Sequence, residues 1–214
     1  FSYSFLQPGT PPPGFRELRE EAAPLYCAML AQGPVYGAEV LLRAFAEVHQ
    51  RNPRARLALY GPGTLELEPL RSAGAAAGAV RGYGELHRPA ALAVIAASDV
   101  FVRPTLADGD SVSVREAVAL GRVVVATSVG ARPPQARLAP PGDPAALAQV
   151  LLEAAGSRPV LRLAGGDGQP DGDCVDRLLT LYGFRSGVEP APAAREVPAR
   201  PLGEGPACAA SAAS

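Results

Sequence analysis

The chain has 214 residues, 48% hydrophobic, 6% aromatic and 19% charged, which excludes a wholly disordered chain and fits one globular domain with a sizeable core. A formal net charge of -1 with no basic run gives no electrostatic footprint for nucleic acid or an anionic membrane. Three cysteines, Cys27, Cys174 and Cys208, are odd in number and far apart, so neither a disulfide framework nor a zinc site is expected, and a reduced, cytoplasmic setting is the default.

Residues 1–23, with Pro8-Gly9 and Pro11-Pro12-Pro13-Gly14, read as a linker into a domain that begins at Pro24. From there to residue 157, short apolar runs alternate with stretches of helical period, which predicts βα units around a doubly wound parallel sheet. Leu25–Leu30 reads as the first strand. Ala38–Gln50 reads as a helix whose Val40, Leu41, Ala44, Phe45 and Val48 form one apolar stripe before Pro53 stops it. Arg56–Tyr60 is the next strand, Gly61-Pro62-Gly63 turns into a short Leu-rich helix, and Val80–Tyr83 is a third strand. Pro89–Ala97 is a helix with proline near its first position, far too short to span a bilayer. Val100–Arg103 is a strand, Pro104–Ser111 a polar loop leading to a helix that Gly121 ends, and Val123–Thr127 a β-branched run suited to a buried parallel strand. Asp143-Pro144 opens a last helix, with Leu147, Val150 and Leu151 inward and Gly156 at its end. Residues 158–189 read as a Gly/Asp/Pro loop and one amphipathic helix, Asp173–Tyr182, and residues 190–214 as a disordered Ala/Pro/Gly-rich tail.

The chemically informative stretch is Thr105 to Gly121, which leaves one strand and runs into a helix. Ligands of open α/β sheets settle outside the carboxyl ends of the strands. A helix start there offers unpaired N–H groups that suit a phosphate, Asp108 and Glu116 offer acceptors for sugar hydroxyls, and Gly109 permits close backbone approach. The same residues also read as ordinary turn chemistry, Ala107-Asp108-Gly109-Asp110, followed by a capping box, Ser113-x-x-Glu116. Other chemistries gain less support. Glu66 breaks the dinucleotide G-x-G-x-x-G that Gly61 and Gly63 begin, Ser111 and Ser113 lack a nucleophile elbow, and His49 and His87 have no nearby partner and read as surface histidines. No metal site and no cofactor are expected.

Asp108 and Glu116 with seven residues between them, then Ala-Val-Ala-Leu-Gly and Val123–Gly130, resemble the donor-site signature of the family 4 (group 1) retaining glycosyltransferases. Val40–Phe45, Leu57–Gly63, Ala96–Pro104 and Pro141–Leu147 fall in order with that family's sugar-nucleotide-binding domain, over about Pro24 to Gly156. The resemblance implies the Rossmann-like C-terminal half of a GT-B fold, with a nucleotide-diphospho-sugar as substrate. By that resemblance Asp108 and Glu116 are the catalytic-site carboxylates, Asp108 on hydroxyls of the donor sugar and Glu116 on the ribose. Gly109, Asp110, Ser111 and Val112 form the loop whose amides approach sugar and distal phosphate, and Gly84-Glu85-Leu86 edges the base.

Two departures stand out. Where the family places an Arg and a Lys after the first strand to neutralise the diphosphate, this chain has Ala31 and Tyr36. Arg103 and Arg132 are the replacements the sequence offers. All 20 Lys+Arg residues are Arg, which reads as coding bias, and the only Met is Met29, so the chain reads as a piece of a longer protein. The partner it implies, besides the nucleotide sugar, is an N-terminal acceptor-binding domain outside this sequence, to which any membrane association would belong. Two readings stay open: a donor domain inactive by itself, and a degenerate or truncated domain that acts only through protein contacts.

Overall fold

The computed structural model describes residues 6–65 and 78–157. In chain order it forms α1 (Phe15–Glu21), β1 (Leu25–Met29), a 3-10 turn (Pro34–Tyr36), α2 (Ala38–Arg51), β2 (Arg56–Tyr60), β3 (Val80–Gly82) and α3 (Arg88–Ala97). Then come β4 (Val100–Arg103), α4 (Val112–Ala119), β5 (Val123–Thr127), β6 (Arg137–Ala139) and α5 (Pro144–Ala155). All strand pairs are parallel, and the sheet order is β3-β2-β1-β4-β5-β6. This is the doubly wound α/β fold that the alternating pattern predicts.

Because strand side chains alternate between faces, each central strand feeds two cores. Tyr26, Ala28, Leu57, Leu59, Val102 and Val125 pack with Leu41, Phe45 and Val48 of α2 and Leu147 and Leu151 of α5. Leu25, Cys27, Ala58, Phe101 and Val124 pack on the other side with Val94 and Ile95 of α3 and Val114 and Ala117 of α4. The Tyr26 hydroxyl crosses the first core and donates to the Leu151 carbonyl at 3.0 Å. Burial raises the Cys27 thiol to about 12, with Ser98 and Arg122 lowering it, so this thiol is a small core side chain without reactivity. The α2 stripe differs from the predicted one at two positions: Leu42 is buried and Val40, which borders a cavity described below, only half-buried.

Asp143 caps α5 as expected, its carboxylate accepting from the Ala146 N–H at 3.0 Å ahead of Pro144. Asp143→Ala is expected to cost about 1 kcal/mol of unfolding free energy, read as an earlier midpoint in a urea titration.

Two short elements correct the sequence reading. Part of the stretch taken as linker is structured: α1 buries Phe15 and Leu18 in the second core, both 1% exposed, and Arg19 clamps Asp99 through bonds of 3.2 and 3.1 Å. The apolar pair lies three apart in a charged heptamer, which one helical turn aligns on a single face. Edge strand β6 carries no signal in the sequence, because of its three residues only Ala139 is buried and no alternation marks it. The Leu-rich helix after Gly63, Glu66, the Asp173–Tyr182 helix and the Ala/Pro/Gly-rich tail lie outside the described residues. No described helix is long and apolar enough to cross a membrane.

Candidate functional site

Strand order reverses direction between β1 and β4, which sends the loops following them apart and opens a crevice at their carboxyl ends. The two loops touch where the Leu106 N–H donates to the Val35 carbonyl at 2.8 Å. Gly37, at φ 68, lies against the Pro104 carbonyl where no Cβ would fit. A cavity of about 440 Å³ opens beside this contact, lined among others by Leu30, Gly33, Glu39, Gly63, Thr64 and Leu106. None of the site residues expected from the sequence lines it. The sequence reading passes over this loop; its turn residues Gly33-Pro34 and Gly37 just after a strand are the signal that could have pointed to it.

The expected residues gather into two groups. In the first, the Asp108 Oδ2 accepts from Arg103 Nε at 2.9 Å, Arg132 Nη2 at 3.0 Å and the Thr105 hydroxyl at 3.2 Å. Its Oδ1 accepts from the Gly109 N–H at 3.0 Å and, less closely, from Arg103 Nη2 at 3.4 Å. The three charged side chains are 8% (Arg103), 12% (Asp108) and 4% (Arg132) exposed, so neither arginine is a surface residue. Burial pushes the Asp108 carboxyl up, but Arg103 and then Arg132 outweigh it by hydrogen bonding and charge, and bring it down to about 2. Arg132 is anchored by Nε to the Thr127 carbonyl at 3.1 Å, and the Thr127 hydroxyl donates to the Thr105 carbonyl at 2.5 Å. Thr105 and Thr127, ordinary strand-end residues in the sequence, are therefore the scaffold of this cluster.

In the second group, Glu116 on α4 is 14% exposed and takes Arg88, the first residue of α3, at 3.0 Å from Nε and 2.9 Å from Nη2. That bond joins α4 to the start of α3, two residues beyond the loop containing Gly84, Glu85 and Leu86. Gly84, at φ 70, is held at both ends: its carbonyl accepts from the Gly61 N–H at 2.7 Å and its N–H donates to the Thr64 hydroxyl at 3.0 Å. Leu86 packs on the second core and Glu85 is exposed.

Between the groups, α4 begins without any side-chain cap. Its N-cap is Ser111, whose hydroxyl pairs with that of Ser113 at 3.1 Å. The capping box Ser113-x-x-Glu116 does not form, because Ser113 already lies inside the helix and Glu116 is drawn to Arg88. The first turn thus presents bare N–H groups beside Val112, whose side chain is 63% exposed. Asp110 is exposed and takes Arg115 at 2.7 and 2.6 Å, which with the nearby charges lowers its carboxyl pKa. Gly109 has open space where a Cβ would stand. Among the described residues, no group of three or more His, Cys, Asp or Glu side chains gathers around a metal position.

The position where a lysine was missing is filled in a specific way: the Tyr36 ring lies over the Arg103 guanidinium, 5.5 Å from carbon to ring centroid. The aromatic residue stacks on the very cation that the sequence offered as a replacement.

A family model for the group 1 glycosyl transferases matches residues 23–156. The chain belongs to this family. That stretch contains every strand of the sheet and both carboxylate groups, so this glycosyltransferase match and the fold describe the same unit. Solved structures agree in fold. HepE (Alr3699) of Anabaena, crystallised with UDP-glucose, superposes with a TM-score of 0.59 at 18% identity, over 71% of this chain and 45% of that one. The C-terminal domain of a group 1 glycosyl transferase, LpcC of Francisella tularensis, gives 0.58 at 15% identity, over 73% and 93%. Trehalose-6-phosphate synthase OtsA gives 0.58 at 16% identity, over 72% and 41%. The chain thus spans less than half the length of HepE and OtsA and nearly all of the LpcC domain. At these identities the likeness is one of fold, the Rossmann-like domain of GT-B glycosyltransferases. A search among curated proteins finds no match.

Proposed function

We propose that this domain binds the nucleotide-diphospho-sugar donor of a family 4-type retaining glycosyltransferase, a hexosyltransferase acting without a metal ion in the cytoplasm on an acceptor bound by a separate N-terminal domain. The observation that carries the reading is the placement of Glu116. Its carboxylate, on α4, is held by the exposed Arg88, which follows the Gly84–Leu86 loop by two residues. A carboxylate so held can exchange an exposed partner for the two hydroxyls of a ribose, while the loop meets the base. Gly109 and the uncapped N–H groups from Ser111 and Val112 onward then face the diphosphate and sugar. The uridine nucleotides of the HepE complexes make UDP-sugars the first donors to try.

Transfer in such a cleft depends on holding both substrates together and stabilising the departing diphosphate, so the donor half is expected to bind without turnover. Titration calorimetry of the full chain with UDP-, GDP- and ADP-sugars tests this. One donor series is expected to bind, and Glu116→Ala to weaken it about 10- to 100-fold, the worth of hydrogen bonds to a charged group. No heat from any donor, or unchanged binding in the variant, would sink the reading.

A second reading, a degenerate domain that works only through protein contacts, is favoured by one observation: Arg103 and Arg132 are both engaged by Asp108, with Ala31 and Tyr36 at the positions of the family's cations. Absence of binding to every donor would favour it.

A further inference from the structure

The carboxylate of Asp108 has no vacancy for a sugar hydroxyl. An ionised carboxyl group offers about four lone-pair sites, and five donors converge on this one, from Arg103 twice, Arg132, Thr105 and the Gly109 amide. The arginines differ in what they have left. Arg132 spends all three nitrogens, on Asp108, Thr105 and the carbonyls of Thr127 and Ala131. Arg103 gives Nε and Nη2 to Asp108, whereas its Nη1 reaches only the Met29 sulfur, at 4.0 Å, beneath the Tyr36 ring. A thioether is a weak acceptor. The guanidinium groups of Arg103 and Arg132 share a single carboxylate, Asp108. One positive charge is therefore in excess at the carboxyl ends of β4 and β5, where a buried charge gains most from a compensating partner.

We infer that Asp108 is an internal counter-anion, a positioning residue that occupies the Arg103–Arg132 pair and sets how strongly this end of the sheet draws the phosphates of a donor, and that it does not bind the donor's sugar. The inference rests on the nucleotide-sugar reading and departs from the role that resemblance assigns to this carboxylate. It makes Arg103 the cation that answers for the missing Arg and Lys.

The discriminating variant is Asp108→Asn, which keeps the shape and removes the charge. Binding of inorganic pyrophosphate, UDP, UDP-glucose and uridine to the full chain is compared by calorimetry, with the GDP and ADP equivalents alongside. A counter-anion predicts that the variant binds pyrophosphate and the nucleoside diphosphate about fivefold more tightly, as removal of one charge several ångströms away implies. The preference for nucleotide sugar over plain nucleotide stays within twofold, and uridine is unaffected. A sugar ligand predicts the reverse: unchanged pyrophosphate and nucleotide binding, with the sugar preference lost. That result overturns the inference and leaves the donor-domain reading standing. Wild-type protein that binds none of the probes overturns both. Should the variant melt near the assay temperature, the rise in Tm given by pyrophosphate reads the same quantity. A larger rise than in wild type supports the counter-anion, and an equal or smaller one overturns it.

Discussion

Asp108→Ala is expected to lower the stability of the chain by about 3–5 kcal/mol, the usual cost of removing one partner from a buried charge cluster. Its size follows from the geometry. Arg103 and Arg132 are almost wholly buried, and both lean on the same Oδ2, at 2.9 and 3.0 Å. Alanine would leave two guanidinium groups facing each other out of water with no anion between them. It also frees the Thr105 hydroxyl and the Gly109 N–H, which hold the turn before α4. The effect carries a pH signature. The Asp108 carboxyl is brought down to about 2 in the folded chain from 3.8. A depressed carboxyl contributes its full stabilisation above the unfolded value and loses it as pH falls through the folded one. The gap between wild type and variant should thus be greatest at neutral pH and shrink from about pH 4 downward. Chemical denaturation at pH 7 and at pH 3 measures it. An equal gap at both would mean that packing, not charge, makes the difference.

This cluster also marks the limit of what the sequence reveals. Elements whose stability is local were legible: Val123–Thr127 as a buried strand from its β-branched run, α5 from Asp143-Pro144, α2 from residues three and four apart. The address of the site was legible too, since a polar loop after a strand and before a helix lies at the carboxyl end of a parallel sheet. The identity of Asp108 and Glu116 as important carboxylates came from spacing and resemblance. What they touch could not. Arg132 reaches Asp108 across 24 residues and Arg88 reaches Glu116 across 28, and both pairings depend on which strand lies next to which. Ser113 and Glu116 carry the local grammar of a capping box, yet the chain enters α4 two residues earlier and a tertiary ion pair takes the glutamate. The apolar pair of α1 is of the same kind: Phe15 and Leu18 make sense only once a sheet face is there to receive them.

Gly130→Ala is expected to cost about 2–5 kcal/mol, combining the left-handed backbone penalty with overpacking, and to reduce donor binding along with stability. Gly130 follows β5 at φ 69, a conformation that glycine adopts without strain and alanine does not. A Cβ built there runs into the backbone carbonyls of Gly109 and Asp108, and neither obstacle is the movable end of a side chain. The neighbouring residue ties the same two loops together, because the Ala131 N–H donates to the Gly109 carbonyl at 2.9 Å and Asp110 bridges to Ala131. Relief of the clash therefore has to move the Asp108–Asp110 turn away from β5. That displacement carries Asp108 off Arg132, which is fixed from the β5 side by the Thr127 carbonyl. One methyl group thus acts on the packing and the ion cluster, and donor binding falls because the Gly109 and Val112 amides move with the turn, even though Arg132 loses its counter-anion. Thermal unfolding and donor titration of the same variant check the coupling. A variant that loses stability as expected yet binds donor like wild type would show that the loop after β4 is not where the diphosphate lies.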